Sequence, residues 1–303
     1  MQDRLLKFLI HQAPVRGEVV RLSQSWQQMT ALQSYPEPVL RLLGETTAAA
    51  TLLSATIKFA GNLILQIHGD GPVQLLVVEC RPDLAFRATA KVRSGARIEA
   101  GAGWHELVNV DGNGRCAITL DPGQSPAAQQ RYQGIVPLQG SSVAEALEAY
   151  LQQSEQIESR LWLAANEQAA SGLLLQRIAR PSLPGVEQDE DAWRRTTTLT
   201  DTISAAELLE SAAEEVVHRL FWQEQLERYR PVTPRFACSC SRHRTGRMLL
   251  TLGRAEVDSI LAEQGTVSVT CDFCHAQYAF DAVDVGQLFA TGSTDISRPE
   301  PPH

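Results

Sequence analysis

Apolar and polar residues alternate along several short segments of the first 179 residues, and clusters of Gly, Asp, Asn and Pro separate these segments. Alternation of this kind is typical of strands with one buried face, and the tight turns between them suit antiparallel hairpins. The predicted strands are residues 15–22, 62–68, 73–80, 84–90, 115–121, 131–138, 160–165 and 172–178.

A helical period of apolar residues marks further segments of the same region. In residues 39–59 the apolar side chains recur at helical spacing with small residues between them, which predicts a long, buried helix. Shorter helices are predicted at 24–32 and 141–155. This mixture predicts an α+β fold for residues 1–179, in which antiparallel sheets pack with helices.

The composition changes near residue 180, where a turn-rich acidic loop at 181–191 begins a second region. We assign residues 180–232 as a helical linker, because an amphipathic helix is predicted from the N-cap Ser204 to Phe221. Its apolar stripe needs a partner, through either permanent packing on a domain or conditional docking, and the pattern does not choose between them. The stripe consists of Leu208, Leu209, Val216, Val217, Leu220 and Phe221.

Residues 233–290 form a third, small region that begins between two prolines. Its predicted elements are a helix at 251–262, strands at 267–270 and 277–280, and a last helical turn at 284–288. Residues 291–303 contain three prolines and little apolar content, so we expect a disordered tail.

Composition and charge add bounds on location and partners. The 303 residues include 35 acidic and 27 basic side chains, and the net charge of −8 argues against a general nucleic-acid binder. No apolar run is long enough for a membrane span and the N-terminus lacks a signal-peptide layout, so we expect a cytoplasmic protein with reduced thiols. The Gly-rich turns at 69–72 and 111–114 lack the spacing of phosphate-binding loops, so no nucleotide cofactor is expected.

Four of the six cysteines lie near the C-terminus, as Cys238-Ser-Cys240 and Cys271-Asp-Phe-Cys274. Residues i and i+2 of an extended segment point to the same side, and the second pair has the common knuckle spacing, so each pair can chelate one ion. Four thiolates complete a tetrahedron around Zn²⁺, and we predict one zinc ion per chain. Two structural disulfides are the alternative, which is weaker because nothing else indicates a secreted protein.

Other side chains bear on the chemistry of these thiols. Nearby arginines could favour thiolates and keep the sulfurs reactive toward oxidants, or could be ordinary solvated surface residues. His243 and His275 adjoin the cysteines, but four thiolates already fill a tetrahedron. Cys80 and Cys116 lie in apolar strands and are expected to be inert core residues. The nearby arginines are Arg235, Arg242, Arg244 and Arg247.

Several segments in both halves of the chain match the sequence motifs of one known protein family. Near the C-terminus the matching residues are Phe236-Ala-Cys-Ser-Cys-Ser-Arg242, Leu252-Gly253, Glu256-Val-Asp-Ser-Ile-Leu261, and Cys271-Asp-Phe-Cys274 with Tyr278, Phe280 and Asp281. In the N-terminal half they are Gly69-Asp-Gly-Pro72, Arg131-Tyr-Gln-Gly134, Ser154-Glu-Gln156 and Gly172-Leu-Leu-Leu-Gln176. In these residues the chain resembles the heat shock protein 33 family of redox-regulated cytosolic chaperones. The resemblance covers nearly the whole chain, and His243 and His275 depart from familiar members, which bears on the oxidation threshold.

The resemblance implies an ATP-independent holdase, not an enzyme, that is inactive while reduced and zinc-bound. In such proteins oxidants form disulfides, here Cys238–Cys240 and Cys271–Cys274, zinc leaves, and the C-terminal module and linker unfold. The exposed surface then binds unfolding client proteins, and a reduced monomer becomes a homodimer on activation. Client contacts map to the linker, and the six residues of its apolar stripe are the client-binding candidates.

Free energies indicate what this exchange would do to the module. A structural zinc contributes roughly 10–16 kcal/mol of apparent folding free energy and joins the two cysteine pairs. Disulfides within each pair close loops of only a few residues, and the chain-entropy relation gives roughly 1.5–2 kcal/mol apiece. Because they also leave the pairs unlinked, we expect a module this small to unfold on oxidation.

Two other classes of function remain as alternatives. A zinc-ribbon protein that binds RNA or the ribosome is suggested by the local arginines, although the overall negative charge argues against it. A metal or thiol enzyme is the third possibility, and four cysteines would close the open position that a catalytic zinc needs.

Overall fold

The computed structural model describes residues 2–11, 13–122, 131–178 and 191–291. The chain divides into two compact units, Met1–Ala237 and Cys238–His303. The predicted acidic loop at 181–191 and the predicted tail at 291–303 lie outside the described residues, except for the last residue of the loop and the first of the tail.

The first unit is built largely of strands, several of which the apolar alternation predicts. They are β1 (Arg4–Ile10), β2 (Val15–Leu22), β3 (Asn62–His68), β4 (Val73–Cys80), β5 (Ala85–Val92), β6 (Arg115–Asp121), β7 (Tyr132–Pro137), β8 (Ser159–Ala165), β9 (Ala170–Arg177), β10 (Leu226–Arg228) and β11 (Arg235–Phe236). The helices are α1 (Gln24–Thr30), α2 (Glu37–Thr56), α3 (Trp104–Val108), α4 (Val143–Ser154), α5 (Ala192–Thr200), α6 (Ala205–Glu210) and α7 (Ala213–Phe221).

These strands form two sheets. One sheet has five antiparallel strands in the order β10-β1-β2-β9-β8. The other has the order β11-β5-β4-β3-β6-β7 and is antiparallel except for the short parallel pair of β11 and β5. The predicted α+β class, with antiparallel sheets packed with helices, is confirmed.

Helix α2 lies between the two sheets, since it contacts β2, β8 and β9 on one side and β3, β4 and β5 on the other. It begins at Glu37, two residues before the predicted start, because a proline in the first helical turn loses no intrahelical hydrogen bond. At Gly44 an added Cβ would lie 2.4 Å from the Cβ of Ala165, so the helix approaches β8 closely there. The main core of the unit surrounds this helix.

A second apolar cluster, here called the outer cluster, lies on the opposite face of the five-stranded sheet. Successive residues of a strand point to opposite faces, so in β1 Leu5 belongs to the main core while Leu6 and Phe8 belong to the outer cluster. Helices α6 and α7 cover this face. The predicted linker is therefore packed on the sheet through α6 and α7 in this structure. The cluster includes Leu6, Phe8, Ile10, Val15, Val19, Leu173, Leu175, Leu208, Leu209, Ala213, Val216, Val217 and Phe221.

The predicted single helix at 204–221 is wrong, because two extended residues, Ser211 and Ala212, separate α6 from α7. A capping box of Ser204 and Glu207 starts α6 as the sequence indicates. At the other end of α6, the buried Arg21 of β2 donates two hydrogen bonds to the Leu209 carbonyl, at 3.0 and 2.6 Å. This tertiary contact satisfies a carbonyl at the C-terminal end of the helix, where no intrahelical partner is available.

The second unit is a small assembly around a β-hairpin. Its elements are α8 (Arg242–Leu252), α9 (Arg254–Gln264), β12 (Val267–Thr270), β13 (Gln277–Phe280) and α10 (Ala282–Thr291), and β12 pairs antiparallel with β13. The predicted helix at 251–262 is wrong at its start, because Gly253, with φ +98°, separates α8 from α9. The core of this unit consists of Leu249, Val257, Val267, Tyr278, Phe280, Val285 and Leu288.

Candidate metal centre and the linker-covered sheet face

The four C-terminal cysteines come together in the second unit, with sulfur atoms that all lie within 4.8 Å of one another. Cys238 and Cys240 precede α8, and Cys271 and Cys274 lie in the turn between β12 and β13. The Cys271 amide donates to the Ala276 carbonyl and the His275 amide donates to the Cys271 carbonyl, both at 2.9 Å, which closes the knuckle. His275 has φ +56°, a left-handed conformation that this tight turn imposes.

The spacing of the sulfurs fits a tetrahedral metal ion. Zinc–sulfur bonds of about 2.3 Å place the sulfurs of a tetrahedron roughly 3.8 Å apart. The Cys238 and Cys271 sulfurs are 3.7 Å apart and the Cys240 and Cys274 sulfurs are 3.3 Å apart, so both of these contacts join one pair to the other. All four are free thiols in this structure, and four soft ligands could hold a metal ion such as Zn²⁺.

Their surroundings make the Cys271 and Cys274 thiols hard to ionise without a cation. The hydrogen bond with the Cys238 thiol, together with burial, raises the pKa of Cys271 to about 12. Burial, with a further contribution from Cys240, raises the pKa of Cys274 to about 11. A coordinated metal ion deprotonates its thiol ligands outright, so the donor set matches a site in which a cation balances the sulfur charge.

Two particular side chains, Tyr278 and Arg244, form hydrogen bonds at the sulfur cluster. The buried Tyr278 donates its hydroxyl hydrogen to the Cys240 sulfur at 3.2 Å. Arg244 donates to the Ser239 carbonyl at 2.9 Å and to the Ser239 hydroxyl at 2.6 Å, and so orders the residue between Cys238 and Cys240.

Arg242 forms the polar centre of the same unit. Its guanidinium is 2.7 Å from the Asp284 carboxylate, and the two side chains are only 11 % and 10 % exposed. It also donates to the Ala279 carbonyl at 2.7 Å and lies over the Phe280 ring, 4.2 Å from the ring centroid. These contacts join the start of α8 to β13 and α10, so Arg242 contributes to the fold of the unit.

The other residues that the sequence suggests for a role at the thiols are not part of the four-sulfur cluster. His243 and His275 are exposed, and the candidate metal-binding group among the described residues contains cysteines alone. Arg247 is also exposed, and Arg235 in the first unit pairs with Asp83 at 2.5 Å. Cys80 and Cys116 are buried in the main core, and burial raises the pKa of each thiol to about 12, which makes both unreactive.

The client-binding candidates lie in the outer cluster. Leu208, Leu209, Val216, Val217 and Phe221 are buried, and Leu220 is partly buried against them. The Phe221 and Phe8 rings are 5.4 Å apart between centroids. Their role in client binding stays a prediction, since here these side chains are covered.

Several polar contacts that have no signal in the sequence hold the linker on the sheet. Arg4 pairs with Glu214 at 2.7 Å. The Trp162 indole and Arg160 both contact the Asp201 carboxylate, each at 3.1 Å. The Trp193 indole donates to Glu158 at 2.8 Å. The charged side chains in these contacts are 41–48 % exposed. Such contacts contribute little individually, so the outer cluster supplies most of the docking energy.

Comparisons with known proteins agree along almost the whole chain. A family model described as Hsp33 protein matches residues 3–281. The 33 kDa chaperonin of Methylobacillus flagellatus is 44 % identical over 292 residues, which cover 96 % of each chain. The 33 kDa chaperonin of Pseudomonas aeruginosa is 44 % identical over 289 residues, which cover 95 % of each chain.

A solved structure supports the fold independently. The crystal structure of the 33 kDa chaperonin of Thermotoga maritima matches with a TM-score of 0.75 and 20 % identity, and covers 95 % of this chain and 98 % of that chain. None of the helices in the described ranges combines the length and apolar content needed to cross a bilayer.

Proposed function

The chain belongs to the Hsp33 family, and on this premise we propose that it is a redox-regulated, ATP-independent holdase chaperone that is inactive while reduced. One observation carries the proposal most directly. The linker that precedes the cysteine unit in sequence packs its apolar side chains on the five-stranded sheet, so one chain contains both a cluster of four cysteines and an apolar sheet face that the linker covers.

In the reduced state, Cys238, Cys240, Cys271 and Cys274 would hold one zinc ion, as the sulfur spacing supports. Bound zinc would join the two cysteine pairs and keep the sulfurs as thiolates. Tyr278 would hold Cys240 in place through its hydroxyl, and Arg244 would hold the Ser239 backbone between the first two sulfurs.

Oxidation would release the zinc ion that joins the two cysteine pairs. We propose the pairing Cys238–Cys240 and Cys271–Cys274, in which the two thiolates of each pair lose two electrons to a peroxide as the S–S bond forms and the peroxide O–O bond breaks. The two protons that the peroxide oxygens need come from the solvent. A peroxide would be reduced to water and an alcohol or a second water. Because close sulfur contacts also join Cys238 to Cys271 and Cys240 to Cys274, the cross-linked pairing is the one that disulfide mapping must distinguish from this one.

Loss of the zinc ion unfolds the cysteine unit, and the linker then leaves the sheet. Leu208, Val217 and Phe221 would become accessible together with the sheet residues that they cover, among them Phe8. An exposed apolar surface of this kind binds the apolar segments of unfolding client proteins and prevents their aggregation. Exposure of the same surface would also favour a homodimer over the reduced monomer.

The remaining features of the proposal follow from this mechanism. The protein acts by binding rather than by catalysis, and it requires no nucleotide. The cytoplasm suits it, because there the resting state of the thiols is reduced. The alternative of a zinc-ribbon RNA-binding protein is not favoured, since the relatives are named 33 kDa chaperonin.

The direct test compares two redox states of the full chain. The reduced, zinc-loaded protein should leave the aggregation of thermally unfolding citrate synthase unchanged. Treatment with hydrogen peroxide at raised temperature should release about one zinc per chain and produce suppression that dithiothreitol with zinc reverses. Equal suppression in both states would refute the proposal.

A further inference from the structure

We propose that the outer edge of β1 is a strand-addition site that accepts an extended apolar segment of an unfolding protein once β10 has left. This inference rests on the proposed function, because it assumes that oxidation releases the linker. The client segment would be bound through main-chain hydrogen bonds along the edge of the sheet, in addition to apolar contacts on the face of the sheet.

The backbone hydrogen bonds define this edge. Leu5 exchanges two bonds with Val232, at 2.8 and 2.9 Å, Lys7 accepts from the Tyr229 amide at 3.0 Å, and His11 donates to Gln225 at 2.8 Å. In an antiparallel strand alternate residues bond to opposite neighbours, so Leu5, Lys7, Leu9 and His11 face β10 and the intervening residues face β2.

The segment that now occupies the edge is weakly held by its side chains. Strand β10 is three residues long, with Leu226 half-buried and both Glu227 and Arg228 exposed. Its attachment to β1 is therefore mostly through main-chain groups, which any extended polypeptide can supply. Pairing of this kind does not depend on sequence, as a chaperone for varied clients requires.

The side chains beside the edge specify the kind of segment that fits. Phe8 and Ile10 of β1 belong to the outer cluster, and the residues opposite them are Arg228 and Leu226. Leu226 packs against the outer cluster, so one side of the bound strand meets apolar side chains. The edge therefore fits an extended segment with apolar residues at alternate positions.

The edge of β1 is paired while the linker is packed on the sheet, and it would be unpaired once the linker has left. In the present structure β10 pairs with β1 and α7 contacts β1 from the outer face. Removal of the linker would leave unpaired N–H and C=O groups next to exposed Leu6, Phe8 and Ile10. Such an edge readily recruits another strand.

Residue-resolved hydrogen exchange of the full chain tests this inference in three samples: reduced, oxidised, and oxidised in complex with thermally unfolded citrate synthase. The amides of Leu5, Leu9 and His11, which donate to the β10 segment, should be protected in the first, exchange at least about tenfold faster in the second, and regain protection in the third. The amides of Leu6, Phe8 and Ile10, which bond to β2, serve as internal controls and should stay protected throughout.

The outcomes separate this inference from the function on which it rests. Suppression of aggregation without renewed protection of the three edge amides would overturn the edge site and leave the holdase proposal intact. Continued protection of those amides in the oxidised, client-free sample would also overturn it, because β10 would not have left. Failure of oxidation to release zinc or to produce suppression would refute the holdase proposal, and the edge site with it.

Discussion

At the scale of single residues, the cysteine unit depends on groups that hold the sulfurs as well as on the sulfurs. Tyr278 donates to Cys240, Arg244 orders Ser239, and Arg242 forms an ion pair with Asp284. The sequence spacing predicts the four sulfurs as a group, because both pairs are local. It does not predict these partners, since each contact joins residues that are adjacent only after folding.

The Tyr278 hydroxyl should make the metal site more resistant to oxidation, because a hydrogen bond to a ligand sulfur stabilises its thiolate form. Tyr278→Phe keeps the ring and removes this bond. We expect zinc release by hydrogen peroxide to become about tenfold faster, measured with a chromogenic zinc indicator. Tyr150→Phe is the matched control, because that hydroxyl contacts Glu155 in the first unit, and an equal effect of both variants would contradict this role.

The Arg242–Asp284 pair should stabilise the cysteine unit strongly. Arg242→Met removes the cationic partner of the buried Asp284 carboxylate, and loss of one member of such a pair typically costs about 3–5 kcal/mol. We expect the zinc-loaded, reduced variant to unfold at lower urea concentration in the second unit, with earlier zinc release. The exposed Arg247→Met is the control, and the pair has no structural role if both variants unfold alike.

At the scale of secondary-structure elements, the linker combines good packing with few strong polar contacts. Helices α6 and α7 bury their apolar sides in the outer cluster, while their ion pairs, such as Arg4–Glu214, are largely exposed. Loss of a few buried side chains should therefore change the docking equilibrium more than loss of any one charge.

Phe221 and Trp222 offer a matched pair of aromatic side chains for this claim. Phe221 is 1 % exposed in the outer cluster and its neighbour Trp222 is 68 % exposed. Phe221→Ala should weaken docking by about 3–5 kcal/mol and give measurable suppression of citrate synthase aggregation in the reduced state. Trp222→Ala should leave the reduced state inactive, and reduced Phe221→Ala that stays inactive would refute the role of docking.

Two proline substitutions test whether the β10 segment covers the edge of β1 through main-chain hydrogen bonds. Tyr229→Pro removes an amide that donates to Lys7, which should weaken closure by about 0.5–1.5 kcal/mol and speed exchange of the β1 edge amides several-fold. In Arg228→Pro the lost amide faces the open side of the strand, so a smaller effect is expected. Equal exchange in both variants would argue against closure through the main chain.

The sequence predictions are right or wrong at particular elements for physical reasons. Strands β3, β4 and β6 have the predicted bounds, because the alternation and the turns that flank them are local signals. Strand β1 is not predicted, since its residues are buried on both faces and show little alternation. At the break in the 204–221 helix, Arg21, which is distant in sequence, donates to the Leu209 carbonyl, and no periodicity can reveal such a contact.

At the scale of the whole molecule, the proposed mechanism requires that chemistry at the sulfurs be followed by movement of the linker. The two features lie in different compact units and are joined by continuous chain, from α7 through β10 and β11 to Cys238. Sequence patterns identified both the cysteine site and the amphipathic linker. They could not show that the linker is packed on the five-stranded sheet, because that depends on tertiary contacts with β1 and β2.

The most direct test follows three quantities in one sample during oxidation by hydrogen peroxide at raised temperature: zinc release, hydrogen exchange of α6 and α7, and suppression of citrate synthase aggregation. The mechanism predicts that α6 and α7 lose protection with or after zinc release, and that suppression rises with that loss. Full suppression while α6 and α7 remain protected, or before zinc is released, would contradict it.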